Sequence, residues 1–145
     1  MKKLSFTITG LTAALLMTAC SGSMSPTGGN HSLEGNSWKL TRLSSISGEL
    51  PKTAREVTMR LDSGRVSGNG GCNRYFGSYT VNGSSVKFNG VASTKMFCQG
   101  AMEVEDGLMQ TINNTDGFYI RGKWLALLKG ADTLAHFEVT RTMEK

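Results

Sequence analysis

From residue 56 to residue 62 the chain reads polar, Val57, polar, Met59, polar, Leu61, polar. That alternation puts three apolar side chains on one face and four polar ones on the other, the pattern of a half-buried β-strand. Strand-length runs of the same kind occur at 37–43, with Trp38 and Leu40 inward, and at 86–88, 118–120, 124–128 and 135–139. Val66 and the stretch 75–81 extend the set to about seven or eight strands. Asp62-Ser63-Gly64-Arg65, Asn82-Gly83-Ser84 and Arg121-Gly122-Lys123 are turn sequences between neighbouring runs, so most strands are expected to pair as antiparallel hairpins.

One segment breaks the period. Across 101–113, Ala101, Val104, Leu108 and Ile112 recur at helical spacing, and Glu103, Glu105 and Asp106 occupy positions between them. This predicts one amphipathic helix with a wet acidic face and with Met102 and Met109 flanking the core as flexible filler. Gly107 costs it about 1 kcal/mol relative to Ala, so the helix depends on packing against the sheet. The expected fold is α+β and β-rich: a compact antiparallel sheet or partly closed barrel with one packed helix. Trp38, Trp124, Tyr75, Phe76, Tyr79, Phe88, Phe118, Tyr119 and Phe137 supply the apolar area, most of them as core. No internal repeat or second domain is visible in 145 residues.

The first residues follow another pattern. Met1-Lys2-Lys3 is cationic, 4–17 is mostly apolar with Ser and Thr interruptions, and Thr18-Ala19-Cys20 closes with small residues. This is the order of an export signal, too short and broken to span a bilayer. Met17-Thr18-Ala19-Cys20 resembles a bacterial lipobox, with Met17 where Leu is usual. That resemblance implies a signal peptide over 1–19, a lipid on Cys20 and, with Ser21 following, sorting to the outer membrane with the domain facing the periplasm. Several acyl chains on one cysteine would make the anchor effectively permanent. Residues 20–32 then form the lipidated end and a Ser/Gly-rich tether with a reach of about 20 Å, leaving 33–145 as the domain.

Charge changes meaning once the leader is removed. Losing Lys2 and Lys3 takes the 16 basic residues to 14 against 11 acidic ones, a net +3 instead of +5. The remaining cations are scattered, and an exported protein does not meet nucleic acid, so a solvated surface is the reading and nucleic acid is not an expected partner.

Setting Cys20 aside leaves an even pair, Cys72 and Cys98, in a chain bound for an oxidising compartment, and a disulfide between them is expected. Its closed loop contributes about 3.5 kcal/mol in the chain-entropy model. The rival readings are a reactive thiol at Cys98, ahead of the helix, and a soft-metal site with Met96 and Met102.

The densest segment is 67–79, which holds Gly68-Asn69-Gly70-Gly71-Cys72-Asn73 followed by Arg74-Tyr75-Phe76-Gly77-Ser78-Tyr79. It lacks the Lys-Ser/Thr of a phosphate loop and runs into a strand, so its glycines serve positive φ or close backbone approach. Asn73, Arg74, Tyr75 and Tyr79 form a candidate contact patch if the tyrosines face outward, because Tyr and Arg are favoured at binding hot spots. His31 falls in the tether. His136, beside Glu138, is the one candidate base in the domain, and no nucleophile is tied to it by spacing. No catalytic set, metal ligand set or cofactor is expected; a hydrolase working through His136 or Cys98 is the least favoured class.

Gly68-x-x-Gly71-Cys72-Asn73-x3-Gly77-x-Tyr79, then Ser93-Thr94-Lys95-Met96-Phe97-Cys98, then Glu105 with Leu108, resembles the META domain family. The opening Leu33-x-Gly35-x-x-Trp38-x-Leu40 and the closing 124–128 with Phe137 also fit. The resemblance implies a β-rich fold with one helix, envelope or secreted placement and association with stress responses, and brings no catalytic set. The expected function is a non-enzymatic envelope lipoprotein that binds or stabilises an envelope protein or ligand under stress. The alternative is a periplasmic inhibitor of a lytic enzyme such as lysozyme, for which a positive mature charge is awkward.

Overall fold

A computed structural model describes residues 31–142. The expected signal peptide, Cys20 and the expected tether up to residue 30 lie outside the described residues. Eight strands and one helix follow in the order β1 (Asn36–Leu43), β2 (Thr58–Asp62), β3 (Arg65–Asn69), β4 (Arg74–Asn82), β5 (Ser85–Ser93), α1 (Met102–Asn114), β6 (Gly117–Arg121), β7 (Trp124–Lys129) and β8 (Asp132–Thr142).

Every pairing is antiparallel between sequence neighbours, and β1 returns to β8, so the sheet closes into a barrel. Two-residue turns join β2 to β3, β4 to β5, β6 to β7 and β7 to β8. The ring is thinnest between β5 and β6, where one residue pair, Ser85 with Gly117, is in register. That seam is held by Val86 N–H donating to the Asp116 carbonyl and Phe118 N–H to the Ser84 carbonyl. The helix follows β5 in sequence and packs on β1, β5 and β8.

The core forms because alternate residues of each strand turn inward. Trp38, Met59, Leu61, Val66, Tyr75, Leu125, Leu127 and Phe137 are fully buried, joined by Val104, Leu108 and Ile112 from α1. The Trp38 indole N–H donates to the Leu33 carbonyl, which satisfies the one polar atom of the largest buried side chain. Three aromatics expected to help form the core face solvent instead: Phe76, Tyr119 and Trp124. Each lies one position out of phase with buried or half-buried neighbours on its strand, and the period of two turns it outward.

The helix matches the predicted face with one correction. Glu105, assigned by spacing to the wet acidic face, is only 5% exposed. It falls one residue after Val104 and three before Leu108, and it is turned toward the β3–β4 connection rather than to water.

Candidate functional site

The segment that carries the family-like motif is the connection between β3 and β4. It folds back on itself, with Gly70 N–H donating to the Asn73 carbonyl and Gly71 N–H to the Asn69 side-chain oxygen. Gly71 holds φ +108°, a conformation L side chains avoid, and a Cβ there would meet Thr53. Arg55 N–H donates to the Gly71 carbonyl, tying the 53–55 loop to the same point.

Asn73 is the centre. Its backbone N–H donates to Glu105 Oε2 at 2.8 Å, and its Nδ2 donates to Glu105 Oε1 at 2.7 Å and to the Met96 carbonyl at 2.8 Å. Its Oδ1 accepts from Thr94 Oγ1 at 2.7 Å and from Met96 N–H at 2.8 Å. A side-chain amide has two donors and two acceptor lone pairs, and all four are used here. Gly70 is small because Glu105 lies over it: a Cβ would approach Oε2 to 2.9 Å.

One residue away, Cys72 and Cys98 are joined as a disulfide, as the even count left after Cys20 predicted. The bond consumes both sulfurs, so a free reactive thiol, a soft-metal site using Cys98 and a Cys98 nucleophile are all overturned. The β3–β4 connection and the β5–α1 loop are therefore held together twice, by a covalent bond and by a hydrogen-bonded amide, and the amide also ties in the first turn of α1.

The contact patch of Asn73, Arg74, Tyr75 and Tyr79 does not form. Asn73 is buried in the network above, and Tyr75 and Tyr79, four apart on one strand, share the inward face. Tyr75 donates its hydroxyl to the Thr58 carbonyl, and Tyr79 donates to the Glu34 carboxylate. Burial pushes both phenols well above their ordinary range, with the Glu34 contact adding to the shift at Tyr79. Of the four, Arg74 alone is exposed, next to outward Phe76.

Beside the network lies a groove of about 550 Å³, lined among others by Val91, Lys95, Met96, Phe97, Met102 and Met109. Met102 and Met109 line this recess, and Met109 also packs against the edge of the core, as a residue flanking it should. Phe97 is 82% exposed immediately before Cys98, a feature that alternation alone does not signal because the segment is neither strand nor helix. His136 is half-buried on β8, opposite Arg42 on β1 and Ala126 on β7. No group of three His, Cys, Asp or Glu side chains among the described residues is placed to hold a metal ion. None of the helices of the described residues is long and apolar enough to cross a membrane.

The family model for the META domain matches residues 31–141. Two solved structures share the fold. One, described as the NMR structure of the protein from Burkholderia xenovorans, is 22% identical, with a TM-score of 0.61 over 74% of this chain and 83% of that one. A second, described as the NMR structure of the protein, is 15% identical, with a TM-score of 0.59 over 73% of this chain and 90% of that one. No curated protein matches.

Proposed function

The chain belongs to the META domain family, and from that premise we propose that it is a non-enzymatic lipoprotein of the cell envelope that binds or stabilises envelope components under stress. One observation carries the reading: the motif residues Asn73, Cys72, Cys98 and Glu105 are spent on one another. A carboxyl with both oxygens engaged by the same asparagine, and sulfurs joined covalently, serve as scaffold. Function then falls to the outer surface, as in a binding module.

Placement rests on the sequence before the domain. The cationic start, apolar run and Thr18-Ala19-Cys20 support export and a lipid on Cys20, at the outer membrane with the domain in the periplasm. The disulfide agrees with an oxidising destination. The test is membrane fractionation combined with proximity crosslinking in intact cells. The expected result is a membrane-bound protein released to the soluble fraction by Cys20→Ala, and envelope components crosslinked above background; a soluble wild type, or deletion with unchanged stress tolerance and no crosslinks, overturns it.

A second reading is favoured by Phe97. An exposed apolar side chain on a loop fixed by a neighbouring disulfide resembles the inserted loop of an inhibitor of lytic enzymes. Lysozyme turbidity clearing in the presence of the protein decides it: inhibition lost in Phe97→Ala supports the inhibitor, and unchanged clearing removes it.

A further inference from the structure

The outer face of the barrel across β1, β8, β7 and β6 carries two cross-strand rows. In one, Arg42 stands opposite His136, His136 opposite Ala126, and Ala126 opposite Tyr119. In the next, Lys39, Glu138, Trp124 and Arg121 follow one another. Their neighbours Leu40, Phe137, Leu125 and Leu127 are buried, and a register shift between Leu40 and Arg42 keeps Arg42 on the outer side, so both rows lie on the outer face. Tyr119 is 43% and Trp124 41% exposed.

Ala126 faces outward yet is 1% exposed, so the large side chains around it fold over the small one. Tyr119 and Trp124, both partly open to solvent, form an aromatic platform on this face. Lys123 sits 5.0 Å from the Trp124 ring centre and pairs with Glu138, while Lys39 pairs with Glu56. Arg42 and Arg121, at opposite edges of the platform, belong to none of the ion pairs among the described residues.

We propose that this face binds a carboxylated saccharide, with sugar rings on Trp124 and Tyr119 and carboxylates at Arg42 and Arg121. The inference deepens the envelope-binding reading above, on which it rests, by naming a ligand class. Size favours a sugar: four strands span about 14 Å and two rows about 7 Å, roughly 100 Å² in all. A stable protein partner covers about 800 Å² on each side. Chemistry favours it too. A pyranose has an apolar C–H face that matches an aromatic ring, and guanidinium groups grip carboxylates in bidentate fashion.

The test is an NMR titration of the full chain in detergent micelles with a uronic-acid tetrasaccharide, a neutral glucose tetrasaccharide and a short oligo-dT strand. Expected are shifts confined to β1, β8, β7 and β6, led by the Trp124 indole, with the acidic sugar preferred over the other two. Trp124→Ala weakens binding about tenfold. Arg42→Gln with Arg121→Gln weakens it by a similar factor and removes its salt dependence, while both variants keep a native spectrum. No shifts on these strands, equal binding of the neutral sugar, tighter binding of oligo-dT, or an affinity unmoved by Trp124→Ala overturns the proposal. Anchoring through Cys20 is read separately by fractionation, so failure of one reading leaves the other standing.

Discussion

Asn73 and Glu105, thirty-two positions apart in sequence, form a two-pronged pair in which the backbone N–H and the side-chain Nδ2 of one residue occupy the two oxygens of the other. Removing either partner strands buried polar groups, which costs more than the bonds themselves contribute. Asn73→Ala leaves a Glu105 oxygen and both backbone groups of Met96 without their partner, and should lower stability by about 4 kcal/mol. Glu105→Ala leaves the Asn73 N–H unpaired and should cost about 3 kcal/mol. Urea unfolding monitored by circular dichroism measures both; losses under 1 kcal/mol would show that the network is dispensable.

The disulfide and the Asn73 amide tie the same two segments, since Cys72 to Cys98 closes a span of 26 residues and Asn73 reaches Thr94 and Met96 within it. Reduction, or Cys72→Ser with Cys98→Ser, should remove about 3.5 kcal/mol of loop-closure stabilisation yet leave a folded domain, because the amide still holds the loop. Reduced Asn73→Ala protein, with both ties gone, should be unfolded at room temperature. Far-ultraviolet circular dichroism with and without reductant distinguishes these; a wild type that unfolds on reduction alone contradicts the idea of two ties.

Most of the barrel was legible because alternation is local. Val57, Met59 and Leu61 announce their strand within seven residues, and the Ser63-Gly64 pair announces the turn that follows. The site was legible only in part. Cysteine parity predicted the bond between Cys72 and Cys98, and the glycine density at 68–71 predicted close approach. What alternation and helical spacing cannot carry is a partner from a distant element. Glu105 looks solvated on a helical wheel, and only its meeting with Asn73 turns it inward. Tyr75 and Tyr79 could join a contact patch with Arg74 only by facing outward, and the period of two sets Tyr75, and Tyr79 four positions on, on the face opposite Arg74.

The glycines of the motif differ in what they prevent. Gly68 pairs across the sheet with Tyr75, and a Cβ there would lie 2.0 Å from the Thr58 carbonyl oxygen and 2.5 Å from the Tyr75 hydroxyl that bonds it. Gly68→Ala must therefore break a buried hydrogen bond and displace backbone, at about 3 kcal/mol. Gly83, in the β4–β5 turn, holds φ +61° with nothing within 4 Å, so Gly83→Ala should cost only about 1 kcal/mol of backbone strain. Thermal unfolding of the two variants side by side tests the ordering, and equal losses would refute the steric account.

Stability should fall in alkali. Burial moves the ionisation of Tyr75, and that of Tyr79, to higher pH, while phenols in the unfolded chain ionise at about pH 10. A proton held more tightly in the folded state stabilises it fully below the unfolded value, and that advantage is lost as pH rises above it. Denaturant midpoints should be flat in this respect through neutral pH and drop steadily above about pH 10. Tyr75→Phe should cost about 1 kcal/mol at neutral pH, from the lost bond to Thr58, and make the alkaline decline shallower. An unchanged slope in that variant would remove Tyr75 as the source.

Gly107 sits mid-helix, where Ala would ordinarily gain about 1 kcal/mol in propensity. Its reason is the neighbour: an added Cβ would lie 2.7 Å from Ser45 Oγ and 3.3 Å from Leu43 Cδ1, so the bare backbone is what lets α1 approach the end of β1. The Ser45 oxygen is the closer obstacle, and its Cβ stands back at 3.9 Å. Gly107→Ala alone should therefore yield no gain, the propensity term being offset by the forced movement of Ser45. In a Ser45→Ala background the oxygen is gone and Leu43 need give only a few tenths of an ångström, so the same substitution should stabilise by about 0.5 to 1 kcal/mol. The double-mutant cycle, measured by urea unfolding, isolates that coupling. A gain of equal size in both backgrounds would mean that packing against Ser45 does not dictate the glycine.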